Sequence, residues 1–204
     1  MALLIQQSLN KGIINNLITL LFLDLEDQLI LHDFKSLWEQ IKADNNCNRN
    51  YNNHVATWYG DVDYAYTGVR HNAQSWHDEF GQIARHLESN LEYPIGYFNC
   101  LLANLYTDKG IAPHADDEPI FRNTDGTVGA VATISLGDTA VTTITRNDRS
   151  EEPLTIKLTN GSCYLMPEGS FQNEYKHSVS KPLPLAHKFY AMGQRISLTF
   201  RHIP

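Results

Sequence analysis

The feature that most constrains the fold lies between Tyr97 and Arg201, where six segments of strand-like composition follow one another. They are Tyr97–Tyr106, Val128–Gly137, Thr139–Arg146, Leu154–Thr159, Ser162–Met166 and Arg195–Arg201, with turn signals between them. Asn160-Gly161, between two of these runs, predicts a type I′ hairpin. Upstream the periodicity is helical instead. Ile30, Phe34, Leu37, Trp38 and Ile41 fall on one stripe and predict an amphipathic helix that ends in the Asn-rich segment from Asp44 to Asn53. A second helix is expected from an N-cap at Ser75, with Asp78 and Glu79 in its first turn. Its apolar stripe is Trp76, Phe80, Ile83, Ala84, Leu87 and Leu91, and it should stop before Pro94. Between the helices, Thr57 to Gly68 reads as short strands and turns carrying Trp58, Tyr59, Tyr64 and Tyr66. Helices first and strands afterwards imply an α+β fold, an antiparallel sandwich or open barrel with helices on one side. With 204 residues, no repeat and no linker, one domain is expected.

Composition narrows the class of function. The 42% hydrophobic and 19% charged content is that of an ordinary soluble globular protein. Cys47, Cys100 and Cys163 are odd in number and lack CxxC spacing, which argues against a disulfide framework or zinc ribbon and fits a reducing compartment. The apolar run Leu17–Leu23 is seven residues long, has no basic leader, and is too short to span a bilayer. A buried helix or strand is expected there, and a soluble intracellular protein of cytoplasm or nucleus, with no membrane partner. A net charge of −7 tempers any nucleic-acid reading, although a local basic groove can sit on an acidic protein.

Four features in the β half carry chemistry. His114-x-Asp116 places an imidazole and a carboxylate two residues apart, on one face of an extended backbone, where both could grip a metal ion; alone, a polar loop explains it as well. His177, in a separate segment, would complete a two-histidine, one-carboxylate face. Such a face suits iron(II) with open positions, whereas tetrahedral closure of the same ligands suits zinc. In Arg195–Arg201, period two puts Arg195, Ser197, Thr199 and Arg201 on one face and Ile196, Leu198 and Phe200 on the other. The polar face could lie in water, or its two guanidiniums could point inward and lean together over a short dicarboxylate. Asn104-x-Tyr106 would offer an amide and a phenol to the same polar ligand, or simply pack.

Taken together and in order, these residues resemble the AlkB family. The pattern comprises Asn104-x-Tyr106, His114-x-Asp116-Asp117-Glu118, Ser135-Leu136-Gly137, Asn160-Gly161-Ser162, Tyr175-x-His177 and Arg195-x-Ser197-Leu198-Thr199-Phe200-Arg201. Upstream, Tyr59-Gly60-Asp61 followed by Tyr64-Ala65-Tyr66-Thr67-Gly68 and Trp76 is similar to the family's nucleotide-recognition lid, so the resemblance covers about residues 55–201. It implies a double-stranded β-helix, a jelly-roll-like barrel, over residues 93–204, a lid with its supporting helix over 55–92, and an N-terminal extension and helix over 1–54. It also implies an iron(II)- and 2-oxoglutarate-dependent dioxygenase that uses O2 to demethylate N-alkylated bases of the 1-methyladenine and 3-methylcytosine type. The substrate would be DNA or RNA, in a repair role, with release of formaldehyde, succinate and CO2 by a monomer. On that resemblance His114, Asp116 and His177 would hold iron, and Asn104, Tyr106, Arg195, Ser197 and Arg201 would bind 2-oxoglutarate. Tyr64, Tyr66 and Glu118 would meet the base, which such enzymes flip out of the stack. Ser197 departs from the family pattern, in which many members carry Asn at this position. The alternative is the same machinery hydroxylating a protein side chain or a small metabolite; a different class again is a non-catalytic barrel that binds ligand or metal structurally.

Overall fold

The computed structural model describes residues 19–22, 34–45, 55–66, 68–184 and 193–204, with only the backbone for 19–22. In chain order the strands are β1 (Thr19–Phe22), β2 (Val55–Tyr59), β3 (Tyr64–Tyr66), β4 (Val69–His71), β5 (Cys100–Tyr106) and β6 (Ile111–His114). They continue as β7 (Val131–Gly137), β8 (Ala140–Arg146), β9 (Leu154–Leu158), β10 (Ser162–Met166), β11 (Tyr175–Val179) and β12 (Arg195–Arg201). Helix α1 spans Phe34–Asp44, α2 spans Asp78–Leu91, and α3 is the single turn Phe171–Glu174. Six strands form one antiparallel sheet in the order β1-β10-β7-β12-β5-β2, and four form a second in the order β6-β11-β8-β9. From β5 onward successive strands alternate between the two sheets, with β8 and β9 the one consecutive pair inside a sheet, and this connection is that of a jelly roll. The small β3–β4 hairpin stands apart from both sheets.

Strict period-two alternation explains how the six-stranded sheet serves two purposes. Leu101, Ala103 and Leu105 of β5, Ala132, Ile134 and Leu136 of β7, and Ile196, Leu198 and Phe200 of β12 share one apolar core with α1 and α2. Helix α1 contributes Phe34, Trp38 and Ile41, and α2 contributes Phe80, Ile83, Ala84 and Leu87. The alternate residues Asn104, Tyr106, Thr133, Ser197, Thr199 and Arg201 line a cavity between the sheets. All seven residues of β12 are therefore buried, and the reading of its polar face as a solvated surface fails. A second cluster, Val131, Ile144, Ile156, Leu158, Tyr164, Met166, Phe171 and Tyr175, fills another part of the space with no polar ligand to hold.

Three local expectations are corrected. Asn160-Gly161 does not join a hairpin: β9 pairs only with β8, whereas β10 pairs with β7 and β1, so the turn crosses from one sheet to the other. Ser162 N–H donates to Thr159 O at 3.1 Å and Gly161 alone has positive φ, at 78°, so the turn is not type I′. Asn160 instead spends its Oδ1 on the Gly137 N–H, at 2.8 Å. The N-cap of α2 is His77, not Ser75, and Trp76 precedes the helix to pack on Phe200 with ring centroids 6.1 Å apart. The cause is tertiary: Gly60 N–H takes Gln74 O, the Gln74 amide takes Asp44 O, and His77 meets Asp44 Oδ2 at 2.7 Å, holding 72–77 out of the helix. Two strands begin late, at Cys100 and Val131, because 94–97 form a turn and Val128 bridges Gly169. The predicted first turn of α1 at Ile30 and the Asn-rich tract beyond Asn45 lie outside the described residues, as does Cys47. Among the described residues, no helix is long and apolar enough to cross a membrane.

Candidate active site

Strand β6 delivers His114 at its last position, opposite His177 of β11, and the two rings stand 4.2 Å apart. The pairing slips there: His177 opposes His114 but Val179 opposes Ile111, so β6 carries one extra residue in a bulge that contains Pro113. Proline has no N–H to give the ladder, and a bulge re-aims the side chain beside it. Within it His114 Nδ1 lies 2.9 Å from Ala112 O, which assigns the ring proton to Nδ1 and leaves the Nε2 lone pair free. That Nε2 is 3.7 Å from Asp116 Oδ1. His114, Asp116 and His177 thus each offer one ligand atom, all within 4.8 Å of one another. Burial pulls the His177 imidazole down to about 4, which keeps it neutral, the state a metal ligand needs.

Asp116 is 2% exposed, and a buried carboxylate demands compensation. Arg201 provides it, with Nη2 at 3.0 Å and Nε at 3.2 Å from Oδ2. Burial alone would raise this carboxyl; the Arg201 guanidinium and the two histidines more than reverse that and hold it well below the usual carboxylate range. Because Arg201 occupies Oδ2, Oδ1 is the oxygen turned toward His114. The Asp116 N–H is held as well, by Gln172 Oε1 at 2.9 Å.

The other arginine has different surroundings. Register places Arg195 and Ser197 of β12 beside Tyr106 and Asn104 of β5, so these four form one group at the far end of the strand from Arg201. Arg195 is 1% exposed; Nε donates to Ser135 Oγ at 2.8 Å and the guanidinium lies 5.1 Å from the centre of the Tyr106 ring. Nη1 and Nη2 are buried with no hydrogen-bond partner, and burial pulls the Arg195 pKa down. Two parallel unsatisfied N–H donors on a buried cation are what a bidentate carboxylate completes. The expectation that both guanidiniums lean over one dicarboxylate meets a different geometry, since Arg201 is committed to Asp116 and keeps only Nη1 without a partner.

At the third end of the cavity stand Tyr64, Tyr66 and Glu118. Tyr64 is buried, sandwiched between Trp58 (centroids 4.6 Å apart) and His71 (5.7 Å), and its hydroxyl donates to Glu118 Oε1 at 2.7 Å. Both its faces are taken, so it positions the carboxylate. Tyr66, 36% exposed, is the ring that reaches the mouth of the cavity. Burial raises the Glu118 carboxyl and Asp116 adds to this, against the pull of Arg201 and the Tyr64 bond; Oε2 has no partner. The cavity holds about 350 Å³ and is lined by the metal-binding trio, by Asn104, Tyr106 and Ser197 of the second group, and by Tyr64, Tyr66 and Glu118; Arg195 itself is not on its wall. Gln172, Arg122 and His71 were not singled out in the sequence, and Ser135 only within a motif and with no role. Gln172 and Arg122 act on backbone or on other side chains and carry no motif; His71 had a signal, its period-two place two residues past Val69 on the hairpin.

A jelly roll with a His-x-Asp…His face open to a cavity, and a buried arginine beyond it, defines a non-haem iron oxygenase. Residues 26–201 match the family described as the 2OG-Fe(II) oxygenase superfamily, and the chain belongs to that superfamily as an AlkB-type dioxygenase. Its cofactor is therefore iron(II) and its cosubstrates 2-oxoglutarate and O2. A solved structure, "The structure of OsALKBH1", superposes with a TM-score of 0.61 at 19% identity, covering 91% of this chain and 98% of that one. Among curated proteins, the RNA replication polyprotein of Apple stem pitting virus is 31% identical over 139 residues, 68% of this chain and 5% of the polyprotein. That of Citrus leaf blotch virus is 27% identical over 142 residues, 69% of this chain and 6% of the polyprotein. The chain thus matches only about a twentieth of the length of these relatives.

Proposed function

We propose that this protein removes N-methyl groups oxidatively from nucleic-acid bases, with RNA as the principal substrate, and acts as a monomer. The observation that carries the base-directed reading is the Tyr64–Glu118 pair: a half-buried carboxylate, fixed by a sandwiched phenol, with a shielded, unpartnered Oε2 at the cavity wall. A carboxylate there favours a cationic lesion such as 1-methyladenine or 3-methylcytosine over the neutral base by charge attraction in a low-dielectric site. Tyr66, at the mouth, supplies a ring on which a flipped base stacks. The β3–β4 hairpin serves as the lid, within one domain whose core is residues 93–204. That the viral relatives are described as RNA replication polyproteins supports RNA over DNA.

His114, Asp116 and His177 hold the iron, and Arg195 holds the far carboxylate of 2-oxoglutarate, with Asn104, Tyr106 and Ser197 around it. The donor sets fit: the neutral His177 imidazole, the His114 ring with its Nδ1 on the Ala112 carbonyl, one compensated carboxylate, and two orphaned guanidinium nitrogens. When bound, iron(II) would supply, with O2 and 2-oxoglutarate, the oxidising power to place one oxygen atom on the N-methyl carbon, with succinate and CO2 as the co-products. The hydroxymethyl product then breaks its C–N bond to give the restored base and formaldehyde. The protein's own residues orient and exclude water: Arg201 fixes Asp116, Glu118 turns the base edge, and Tyr66 covers it.

The test is formaldehyde and succinate release with methylated single- and double-stranded RNA and DNA, wild type against Tyr66→Ala. Dealkylation should fall by about 5- to 150-fold in the variant, corresponding to the 1–3 kcal/mol that a base–aromatic stack contributes. Succinate release without 2-oxoglutarate-coupled dealkylation of any nucleic acid would direct the assignment to a protein or small-molecule hydroxylase.

A further inference from the structure

We propose that the single helical turn α3 is a clasp that sets the metal-binding geometry, with Gln172 as its principal positioning residue. The proposal rests on the metal site assigned above and adds residues that no ligand motif contains. Sheet pairing ends at His114; Ala115 to Glu118 belong to no strand, so no ladder fixes the backbone of Asp116. Two adjacent residues of α3 do it instead.

Gln172 is 2% exposed, and a buried amide in a β-roll is costly unless satisfied. Its Oε1 accepts the Asp116 N–H at 2.9 Å while its Nε2 reaches Met166 Sδ at 3.6 Å. The next residue, Asn173, accepts from Arg122 Nη1 at 3.0 Å. Arg122 in turn donates from Nε to Asp117 O and from Nη2 to Asp117 Oδ2, both at 2.9 Å, and from Nη1 to Gly126 O at 3.1 Å. The loop is thus gripped at two consecutive residues, Asp116 by Gln172 directly and Asp117 through Arg122.

What makes this more than loop packing is the place of α3 in the chain. It runs without a break into β11, which carries His177 five residues beyond Gln172. One continuous segment therefore holds the third ligand by its side chain and the second by its backbone. If α3 shifts, Asp116 and His177 lose their register together. Arg201 cannot substitute, because it grips the carboxylate at Oδ2 and leaves the main chain free to pivot about that contact. Partners of this kind typically govern metal affinity by about 10–100-fold.

The experiment is anaerobic titration of the full chain with cobalt(II), without 2-oxoglutarate or nucleic acid, following the ligand-field absorption bands and the dissociation constant. Gln172→Met keeps length and the sulfur contact but removes the acceptor; Gln172→Glu keeps an acceptor. Ser162→Ala removes a buried hydroxyl bond to Thr159 O, away from the cavity, and reports a merely structural loss. Expected are a roughly 10–100-fold weaker cobalt(II) affinity with altered bands in Gln172→Met, recovery to within about threefold in Gln172→Glu, and no change in Ser162→Ala. Arg122→Met should give a smaller loss of the same kind. Binding in Gln172→Met that equals wild type, or that falls no further than in Ser162→Ala, overturns the clasp while leaving the metal site standing. Absence of cobalt(II) binding in wild type overturns both.

Discussion

Replacing Arg195 by methionine separates what the residue costs the empty fold from what it contributes to ligand binding. The guanidinium is fully buried, with one hydrogen bond to Ser135 and one ring contact to Tyr106. Those two contacts contribute about 1.5–3 kcal/mol for a charged hydrogen bond and about 0.5–2 kcal/mol for a desolvated cation–π pair. Against them stand a desolvation penalty of several kcal/mol for the ion and two buried donors without acceptors. The ligand-free variant should therefore be as stable as wild type or more stable, by up to about 4 kcal/mol. With 2-oxoglutarate and an inert divalent metal the sign reverses. Two lost charge-assisted bonds, each about 1.5–3 kcal/mol, weaken the cosubstrate by roughly 10²–10⁴-fold. Wild type at a hundred times its dissociation constant gains about 2.7 kcal/mol, or roughly 5–11 °C in a chain of this size, and Arg195→Met should gain almost none. Urea unfolding of the ligand-free forms and thermal melting with and without cosubstrate read the two halves. A ligand-free variant destabilised by more than about 1 kcal/mol, or a thermal shift equal to that of wild type, would refute the reasoning.

Asp44 joins α1 to β2 and to the start of α2 through Gln40, Tyr59 and His77, and these bonds outweigh burial to hold its carboxyl below its ordinary value of 3.8. A depressed carboxyl contributes stability that is complete above the unfolded value and lost as pH falls through the folded one. Asp44→Asn should cost about 1–3 kcal/mol at pH 7 and make the urea midpoint less sensitive between pH 5 and pH 3 than in wild type. At Gly137 φ is +86°, and an added Cβ would lie 2.6 Å from Gln194 O and 2.7 Å from the Phe34 ring. Gly137→Ala therefore combines left-handed strain with overpacking, a loss of about 2–5 kcal/mol by denaturant unfolding, and a folded variant of wild-type stability would contradict it.

Legibility in the sequence followed the range of the interaction. The face of β12 was readable because period two is a local property: Arg195, Ser197 and Thr199 had to share a side, and Ile196, Leu198 and Phe200 the other. Asn160-Gly161 was readable as a turn, since Gly161 needs its positive φ, yet not as a crossing between sheets, because partner choice depends on strands thirty residues away. The helix start at Asp78 was displaced from Ser75 by Asp44, a residue on another helix. The candidate metal ligands announced themselves by residue type. Gln172 did not, because a buried amide has no spacing that betrays what it holds.

The two arginines of β12 show why geometry had to complete that reading. Six residues of strand span roughly 20 Å, far longer than a five-carbon dicarboxylate, so one ligand between two outstretched guanidiniums was a strained solution. Register resolves it by assigning each end its own anion. Arg195 sits beside Tyr106 with two donors open, while Arg201 sits opposite Cys100 and turns to Asp116. The pairing of Arg201 with Asp116 has a consequence for the candidate metal site. Arg201 holds Asp116 ionised in a buried site and occupies Oδ2, so the two imidazoles and the single free oxygen Oδ1 face the same point. On the proposed assignment, a strand with a cation at either end would fix the spacing between cosubstrate and metal by its own length, and the alternation that buries both cations is the same alternation that turns Ile196, Leu198 and Phe200 toward the helices.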